Sequence, residues 1–416
     1  MSELESGRRN IVVLGAGFGG ITALLKLRRG LRRKGLLDRS NLVLVNRNAY
    51  HLYTPALYEI ATIPQGQADA AHLKTSICIA IDDIVGRFPE IRFIGAAAES
   101  LDPERRIISF AGGNRMGFEY LVVALGAETN FFGIPGMAEH ALPIKTFEDA
   151  VRLRNRAEAL AATTEGGLGI LVAGGGATGV ELSAELVNFF CDLKRRVVGT
   201  RCREEISLIE ASPDILPEFG AEVIRRARRR LAALGISVAT GKRIREVRPS
   251  AVVLDGQTLP YHLLVWAGGV RPASVLRHFN LPLDQQGRVV VNEFLEARPR
   301  IYAIGDNAGF THPKTGRPLP GNVPAAEAGA RLVAQNIVAE MTGNRRTPFQ
   351  PAAKYPFILA VGGKYAVTDL IIVRFFGFAG WVLKQLVELR YLLFILPWPK
   401  AITTWARTVY YSATND

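Results

Sequence analysis

An apolar run that ends in a glycine cluster and continues into an amphipathic helix occurs twice in this chain of 416 residues. The first copy is IVVLGAGFGGITALLKL at residues 11–27, and the second is ILVAGGGATGVELSAEL at residues 170–186. In each copy three glycines follow the spacing G-x-G-x-x-G, which turns a strand into a helix and leaves backbone N–H groups free for a pyrophosphate. One such copy is a weak signal, because glycine turns also serve packing. Two copies with the same flanking pattern predict two dinucleotide-binding folds.

The first cradle, Gly15–Gly20, follows the predicted strand Ile11–Leu14. The next predicted strand, Asn41–Val45, ends at Asn46. An Asp or Glu normally occupies that position and accepts hydrogen bonds from ribose hydroxyls. Asn46 keeps an acceptor oxygen but lacks the negative charge.

The second cradle, Gly174–Gly179, follows the predicted strand Ile170–Ala173, and a long helix is predicted through Lys194-Arg195-Arg196. The next predicted strand, Ile206–Ile209, ends at Glu210. A carboxylate there accepts from an unmodified 2′-hydroxyl and repels a 2′-phosphate, so NADH is expected in preference to NADPH. The predicted NADH-binding residues are Gly174, Gly176, Ala177, Thr178, Gly179, Glu210 and Gly268.

Three further segments complete the predicted architecture. The strand in RIYAIGDNAG (300–309) is expected to return to the first sheet, and LVVALGA (121–127) and LLVWAGG (263–269) each to close one nucleotide domain. One cradle is then expected to hold FAD and the other NADH. The predicted class is α/β, with two Rossmann-like domains, the NADH domain inserted in the FAD domain, and a C-terminal amphipathic segment. The expected boundaries are 1–145 and 283–350 for FAD, 146–282 for NADH, and 351–416 for membrane docking.

The net charge of +13 favours anionic partners. The densest arginine cluster, FGAEVIRRARRRLAALG (219–235), keeps an apolar stripe, so its arginines are expected on a solvated face. No aromatic residues interleave with them, so no nucleic-acid partner is expected. The cysteines, Cys78, Cys191 and Cys202, are few, odd in number and far apart, which favours a reducing compartment. No metal-ligand spacing occurs, and no metal site is expected.

The C-terminal residues 370–411 are dense in Leu, Ile, Phe and Trp. Charged residues leave uncharged runs of only nine residues, 375–383 and 391–399, whereas a spanning helix needs ~20 apolar residues. An amphipathic helix over 400–411 fits an anionic lipid surface better, and Trp381, Trp398, Trp405, Tyr410 and Tyr411 are expected at the headgroup level. A buried subdomain or a homodimer interface is the alternative reading of this segment.

Four segments together resemble the type II NADH:quinone oxidoreductases, single-subunit flavoenzymes at the membrane surface. They are YHLYTPALYEIAT (50–62), FEYLVVALGAETNFFGIPG (118–136), GGGATGVE (174–181) and AIGDNA (303–308). The resemblance implies a peripheral enzyme on the cytoplasmic side of the cell membrane, part of a respiratory chain, that passes electrons from NADH through FAD to a membrane quinone without proton pumping. The implied FAD-binding residues are Gly15, Ala16, Gly17, Phe18, Gly19, Gly20, Asn46, Arg47, Leu52, Thr54, Pro55, Ala124, Gly126, Gly305, Asp306, Val323 and Pro324.

The resemblance also implies a functional role for Glu181, which would orient NADH or relay a proton toward quinone. A helix-stabilising acid in the first turn is the alternative reading of Glu181. Lys400 is the implied quinone-side contact. The chain departs from the family where an Ala-Gln and a glutamine pair are expected, since Val323-Pro324 and Ala328-Gly329 stand there.

Two other functions stay open on the sequence. A flavin-binding, NADH-responsive redox sensor would suit the glutamine-free segment and the arginine cluster. A reductase of a soluble electron carrier would need no membrane segment. A dithiol mechanism is disfavoured because no cysteine pair follows the first cradle.

Overall fold

The computed structural model describes residues 8–164, 167–197 and 204–414. Two compact units divide the chain. The first comprises Met1–Leu52, Ile79–Glu128 and Val270–Tyr355, and the second comprises Tyr53–Cys78, Thr129–Gly269 and Pro356–Asp416. The second dinucleotide fold is therefore inserted in the first, as predicted. The C-terminal residues group with the second unit, whereas the sequence suggested a separate region.

A six-stranded sheet forms the centre of the first unit. Its spatial order is Glu296–Arg298, Ile301–Ala303, Tyr120–Val123, Arg9–Leu14, Ser40–Asn46 and Ile91–Gly95. Every neighbouring pair is parallel except the first. The predicted return of the strand Ile301–Ala303 to the first sheet is confirmed, and this strand pairs with Tyr120–Val123.

Two helices of the first unit pack against each other, the first cradle helix Phe18–Arg33 and the helix Val323–Met341. Their approach is close, because a Cβ built at Gly30 would lie 2.9 Å from Val338. A three-stranded antiparallel sheet, Ala98–Asp102, Ile107–Phe110 and Arg115–Gly117, contributes apolar side chains to the core on one face of the large sheet.

The second unit repeats the plan with a five-stranded parallel sheet. Its order is Leu142–Pro143, Leu263–Trp266, Gly169–Ala173, Glu205–Ile209 and Ser237–Ala239. The other elements of this part of the unit are the helices Phe147–Thr163, Ala177–Val197 (the second cradle helix) and Ala221–Ala233 (the arginine helix), and the antiparallel strands Ile244–Arg248, Ala251–Leu254 and Gln257–Pro260. The predicted extension of the second cradle helix past Lys194 is confirmed.

The C-terminal part of the second unit is an antiparallel sheet followed by two helices. The strands are Phe357–Ala360, Ala366–Asp369 and Arg374–Gly377, and the helices are Phe378–Ile395 and Trp398–Thr414. No helix among the described residues is both long enough and apolar enough to cross a membrane. Trp381 was expected at a headgroup level but is buried, 9% exposed.

The arginine helix differs from its predicted solvated face, because three of its arginines make contacts. Arg226 lies 4.4 Å over the ring of Phe376. Arg228 pairs with Asp214 at 2.6 Å, and Arg230 donates to the carbonyl oxygens of residues 361 and 362. Arg225 and Arg229 are exposed as expected.

The cysteines also differ from expectation. Cys191 is disulfide-bonded in the structure, whereas Cys78 is a buried free thiol. Cys202 lies outside the described residues. The inference of a reducing compartment from unpaired cysteines is therefore not supported at Cys191.

Candidate functional site

The first cradle shows which of its glycines the fold itself requires. A Cβ built at Gly15 would lie 2.2 Å from the carbonyl oxygen of Ala124, and one at Gly20 would lie 1.8 Å from that of Gly15. A Cβ built at Gly17 meets no atom within 4 Å. The first and third glycines thus permit the strand–helix turn, while Gly17 faces open space where a pyrophosphate can approach the backbone. The cradle fits a dinucleotide.

Side chains behind the first cradle hold its loop. Asn46 Oδ1 accepts the backbone N–H of Ala16 at 3.1 Å. His51 is fully buried, and its Nδ1 lies 2.7 Å from the carbonyl oxygen of Ala16. Burial lowers the pKa of His51 to about 4, so the ring is neutral and its Nδ1–H donates to Ala16. Phe18 packs edge-on against the His51 ring at 5.0 Å.

Further predicted FAD-binding residues converge on this loop within the first unit. Gly305 and Asp306 form the turn Gly305–Asn307, and a Cβ at Gly305 would lie 3.3 Å from Ala326 in the helix that Val323 and Pro324 begin. Asn307, which is buried, accepts from the N–H of Gly126 at 3.1 Å and donates to its carbonyl at 2.7 Å. The amide therefore joins two loops that the sequence placed 181 residues apart.

The remaining predicted FAD residues are more dispersed. Arg47 is exposed after the strand Ser40–Asn46, and Leu52 ends the short strand Tyr50–Leu52. Thr54 and Pro55 belong to the turn Thr54–Ala56 in the second unit. Their flavin contacts remain predictions.

The second cradle repeats the steric pattern of the first. A Cβ at Gly174 would lie 2.5 Å from backbone atoms of Gly268, one at Gly179 would lie 1.8 Å from the Gly174 carbonyl oxygen, and one at Gly176 meets nothing within 4 Å. The register repeats as well. The N–H of Gly15 donates to the carbonyl oxygen of Val45, and the N–H of Gly174 donates to that of Ile209, each at 2.8 Å. Val45 and Ile209 are the last apolar residues of the neighbouring strands. This cradle also fits a dinucleotide.

Glu210, the predicted ribose-binding acid, is held in place by the backbone. Its Oε2 accepts the N–H of Gly175 at 2.6 Å, and its Oε1 accepts the N–H of Ser212 at 2.6 Å. Two backbone donors hold the carboxylate in a fixed position. A fixed negative charge at this position disfavours a 2′-phosphate.

Glu181 lies in the second turn of the second cradle helix, which has no acid in its first turn. The alternative interpretation, that Glu181 stabilises the helix as a first-turn acid, is therefore disfavoured. Its Oε1 accepts the N–H of Ala360 at 3.3 Å. Burial raises the pKa of Glu181 to about 8, with the charge of Glu59 adding to the rise and Lys384 opposing it. The carboxyl therefore carries a proton at neutral pH.

A buried ionic cluster lies next to Glu181 in the second unit. Lys384 of the helix Phe378–Ile395 pairs with Glu59, which also accepts from the Tyr58 hydroxyl at 3.2 Å. Glu388 lies one turn beyond Lys384, is 3% exposed, and has its pKa raised to about 7 by burial and by Glu59. Desolvation of Lys384 is outweighed by Glu59 and Glu388, which raise its pKa. The cluster thus combines the positive charge of Lys384 with two carboxyls, Glu181 and Glu388, whose pKa values burial raises to about 8 and about 7.

A small cavity adjoins this cluster, with room for about one water molecule. Glu59, Glu185 and Lys384 contribute polar groups to its wall, and Trp381 and Tyr411 contribute aromatic ones.

Comparison with known proteins identifies the family. The model of the pyridine nucleotide-disulphide oxidoreductases matches residues 9–330, which is more than half of the chain.

This chain belongs to the pyridine nucleotide-disulphide oxidoreductase family.

Relatives of this oxidoreductase confirm the resemblance drawn from its motifs. The type II NADH:quinone oxidoreductase of Mycobacterium tuberculosis is 28% identical over 413 residues, covering 93% of this chain and 85% of that protein. A demethylphylloquinone reductase of Synechocystis is 28% identical over 399 residues, covering 93% of each. The structure of NDH2 from Plasmodium falciparum in complex with NADH superposes with a TM-score of 0.81 at 18% identity, covering 97% of this chain and 98% of that one, and shows the shared fold.

Sequence reasoning about the oxidoreductase missed four residues that the structure brings to these sites, namely His51, Glu59, Lys384 and Asn307. His51 and Glu59 stand inside the segment YHLYTPALYEIAT, and Asn307 follows Gly305-Asp306 directly, so adjacency to predicted residues was the available signal. Lys384 had none, since it entered only as a charge interrupting an apolar run. The predicted quinone contact Lys400 is exposed in the first turn of the last helix, and its role remains a prediction.

Proposed function

We propose that this oxidoreductase is a type II NADH:quinone oxidoreductase that binds FAD at the first cradle and NADH at the second, and reduces a membrane quinone without pumping protons. The observation that carries the proposal is the repeated cradle, identical in its glycine sterics but with an acid at the ribose position only in the second copy. Relatives named for NADH:quinone and demethylphylloquinone reduction support the choice of reaction.

Bound FAD would supply the redox chemistry, since a flavin can accept a hydride from NADH and pass two electrons to quinone. The chain's own residues bind, orient and supply protons. Asn46 and His51 fix the first loop through Ala16, and Glu210 fixes the second through Gly175.

Proton supply is the second task of the chain. Quinol formation takes two electrons and two protons, whereas hydride carries one proton, so one more must come from solvent through the protein. Glu181 is protonated at neutral pH and has the buried Lys384 and Glu59 as neighbours. We assign Glu181 as the group that holds and delivers that proton, with Lys384 stabilising the carboxylate left behind.

The C-terminal helices support docking on a lipid surface. The helix Phe378–Ile395 exposes an apolar stripe at helical spacing, comprising Phe378, Val382, Leu386 and Leu393. Trp398 and Tyr410 of the last helix are 69% and 63% exposed. Aromatic and aliphatic exposure on a chain of net charge +13 suits an anionic bilayer, and the cytoplasmic face is the proposed side.

A soluble electron carrier is the second candidate acceptor, favoured by the start of the helix Val323–Met341, where Val323 and Pro324 stand in place of the family's Ala-Gln. Removing residues 370–416 would not separate the two candidates, because the deletion takes away Lys384 and leaves Glu59 buried without its cation.

Steady-state kinetics of the intact protein test the proposal. The purified chain is expected to retain FAD and to oxidise NADH with a short-chain quinone much faster than with a ferredoxin-type carrier. Equal and slow turnover with every acceptor, together with a long-lived reduced flavin, would instead indicate a redox sensor.

A further inference from the structure

A four-residue turn in the C-terminal sheet departs from the usual chemistry of turns. Leu370–Val373 connects the antiparallel strands Ala366–Asp369 and Arg374–Gly377, whose end residues Asp369 and Arg374 face each other in register. Such turns ordinarily use Gly, Asn, Asp or Ser. Here the sequence is LIIV, and its central Ile372 is 94% exposed.

The backbone conformation of Ile371 is strained. Its φ is +78°, in the left-handed region that β-branched residues rarely adopt. The conformation is fixed by the N–H of Ile371, which donates to Asp369 Oδ1 at 2.7 Å, and by the N–H of Leu370, which donates to the Val373 carbonyl at 2.9 Å. Exposed apolar side chains and a strained backbone do not stabilise the fold. The residues of this turn are therefore explained by what they contact outside the chain.

The base of the turn is rigid. Arg374 donates to Asp369 at 2.8 Å and to Glu222 of the arginine helix at 2.7 Å. One guanidinium thus bridges two carboxylates, leaving a net charge of −1 at the base, and the apolar tip projects from a fixed support. The apolar surface continues from the tip through the exposed Phe375 to Phe378, where the apolar stripe of the next helix begins.

The arginine helix borders the same strand. Glu222 contacts Arg374, and Arg226 covers the ring of Phe376, so the first half of this helix lies along Arg374–Gly377. Arg225 and Arg229, one helical turn apart, are exposed. An apolar tip flanked by exposed guanidinium groups matches an acyl layer covered by phosphate headgroups.

We infer that the turn Leu370–Val373 inserts into an anionic phospholipid bilayer while Arg225 and Arg229 contact its phosphates. The inference rests on the membrane docking proposed above and adds a second lipid contact outside the C-terminal helices. It also gives a function to the arginine cluster, which the proposed reaction does not use.

Vesicle co-sedimentation of the FAD-loaded full chain tests the inference. The vesicles are phosphatidylcholine with and without phosphatidylglycerol. Ile372→Asp and Ile371→Asn are each expected to lower the partition coefficient at least about tenfold, because an isoleucine side chain leaves the acyl layer. The double variant Arg225→Ala/Arg229→Ala is expected to lower it about 30-fold on anionic vesicles at low salt and to leave binding to neutral vesicles unchanged.

Matched controls separate the site from general charge and from folding. Arg152→Ala/Arg156→Ala removes two exposed arginines at the same spacing from another helix of the second unit. This variant is expected to change the logarithm of the partition coefficient by less than half as much as Arg225→Ala/Arg229→Ala does. Ile371→Asn is expected to keep or raise the melting temperature, since Asn adopts the left-handed region more readily. If Ile371 serves only the structure of the turn, Ile371→Asn leaves the partition coefficient unchanged. That result would overturn the inference.

Two further results would contradict parts of the inference. If both arginine pairs lower binding equally, the arginine helix is not a specific contact, and that half of the inference is wrong. If the wild type is dimeric without vesicles and Ile372→Asp is monomeric, the tip contacts a second copy instead. Turnover with a water-soluble quinone, measured in the same samples, reports separately on the proposed reaction.

Discussion

Glu181 Oε1 accepts the backbone N–H of Ala360 at 3.3 Å, which joins the second cradle helix to the first strand of the C-terminal sheet. The same carboxyl has its pKa raised to about 8 by burial. The cradle that fits NADH and the segment that carries Lys384 therefore share a proton-holding group within one unit. The first prediction below follows from this relationship.

Glu181→Gln is expected to remove the alkaline limb of the quinone-reduction profile. In the wild type the carboxyl is protonated below about pH 8 and loses its proton above it. If it donates that proton, kcat with quinone falls as the pH rises through this value, and the glutamine variant shows a kcat lower by about a hundredfold without that pH dependence. The measurement is kcat against pH from 6 to about 10, with flavin reduction by NADH followed separately as the control. A variant that retains the wild-type limb would contradict the assignment.

Lys384→Met is expected to destabilise the fold by about 3 kcal/mol, because Glu59 is left buried without its cation. The double variant Glu59→Gln/Lys384→Met is expected to recover most of that loss, since a neutral pair has no buried charge to compensate. Urea titration of the four proteins of this double-mutant cycle gives the coupling. Lys364→Met, at an exposed lysine, is the matched control and is expected to unfold like the wild type.

Gly17→Ala and Gly176→Ala assign the two cofactors to the two cradles. Both methyl groups meet open space in the fold, so both variants are expected to melt within a few degrees of the wild type. Gly17→Ala is expected to lose FAD on gel filtration, whereas Gly176→Ala stays yellow and shows a KM for NADH raised about tenfold or more, since each methyl blocks a pyrophosphate.

Gly20→Ala and Gly179→Ala serve as the contrasting pair. Each added methyl would lie 1.8 Å from a carbonyl oxygen, so these variants are expected to lose stability with or without cofactor. Retention of FAD by Gly17→Ala together with its loss from Gly176→Ala would reverse the cofactor assignment.

Glu210→Gln is expected to reduce the preference for NADH over NADPH by about tenfold, because a charge-assisted acceptor at the ribose is lost. The measurement is the ratio of kcat/KM for the two nucleotides. Asn46→Asp makes the opposite change of charge, at the first cradle, where we expect FAD, and the ratio should stay as in the wild type. A change of equal size and opposite direction in Asn46→Asp would mean that overall charge, rather than the ribose position, sets the preference.

Local patterns made the nucleotide folds predictable. The glycine spacings and the strands around them depend on residues close in sequence, and the structure places Arg9–Leu14, Phe18–Arg33, Gly169–Ala173 and Ala177–Val197 where the patterns indicated. The ends of the second strands, at Asn46 and Glu210, were likewise predicted by counting strands, and their ribose contacts stay predictions. Each inference needed only the geometry of a strand–turn–helix unit.

The arginine helix shows where such reasoning failed. An apolar stripe at helical spacing predicted the helix and its buried face correctly, since Val223, Ala227 and Leu231 are buried. The sequence could not show that a distant sheet packs beside the other face and takes up Arg226 and Arg230. The same limit placed Trp381 at a lipid surface, although it is buried.

The sequence alone determined two dinucleotide cradles, their order, and the acid that distinguishes them, because a glycine turn between a strand and a helix is specified by neighbouring residues. Only the tertiary structure decided which charges are buried together. Lys384 and Glu59 are 325 residues apart, and the pKa values of Glu181 and Glu388 depend on the desolvation that folding imposes. Burial and electrostatic coupling are properties of the packed chain, so no local pattern reveals them.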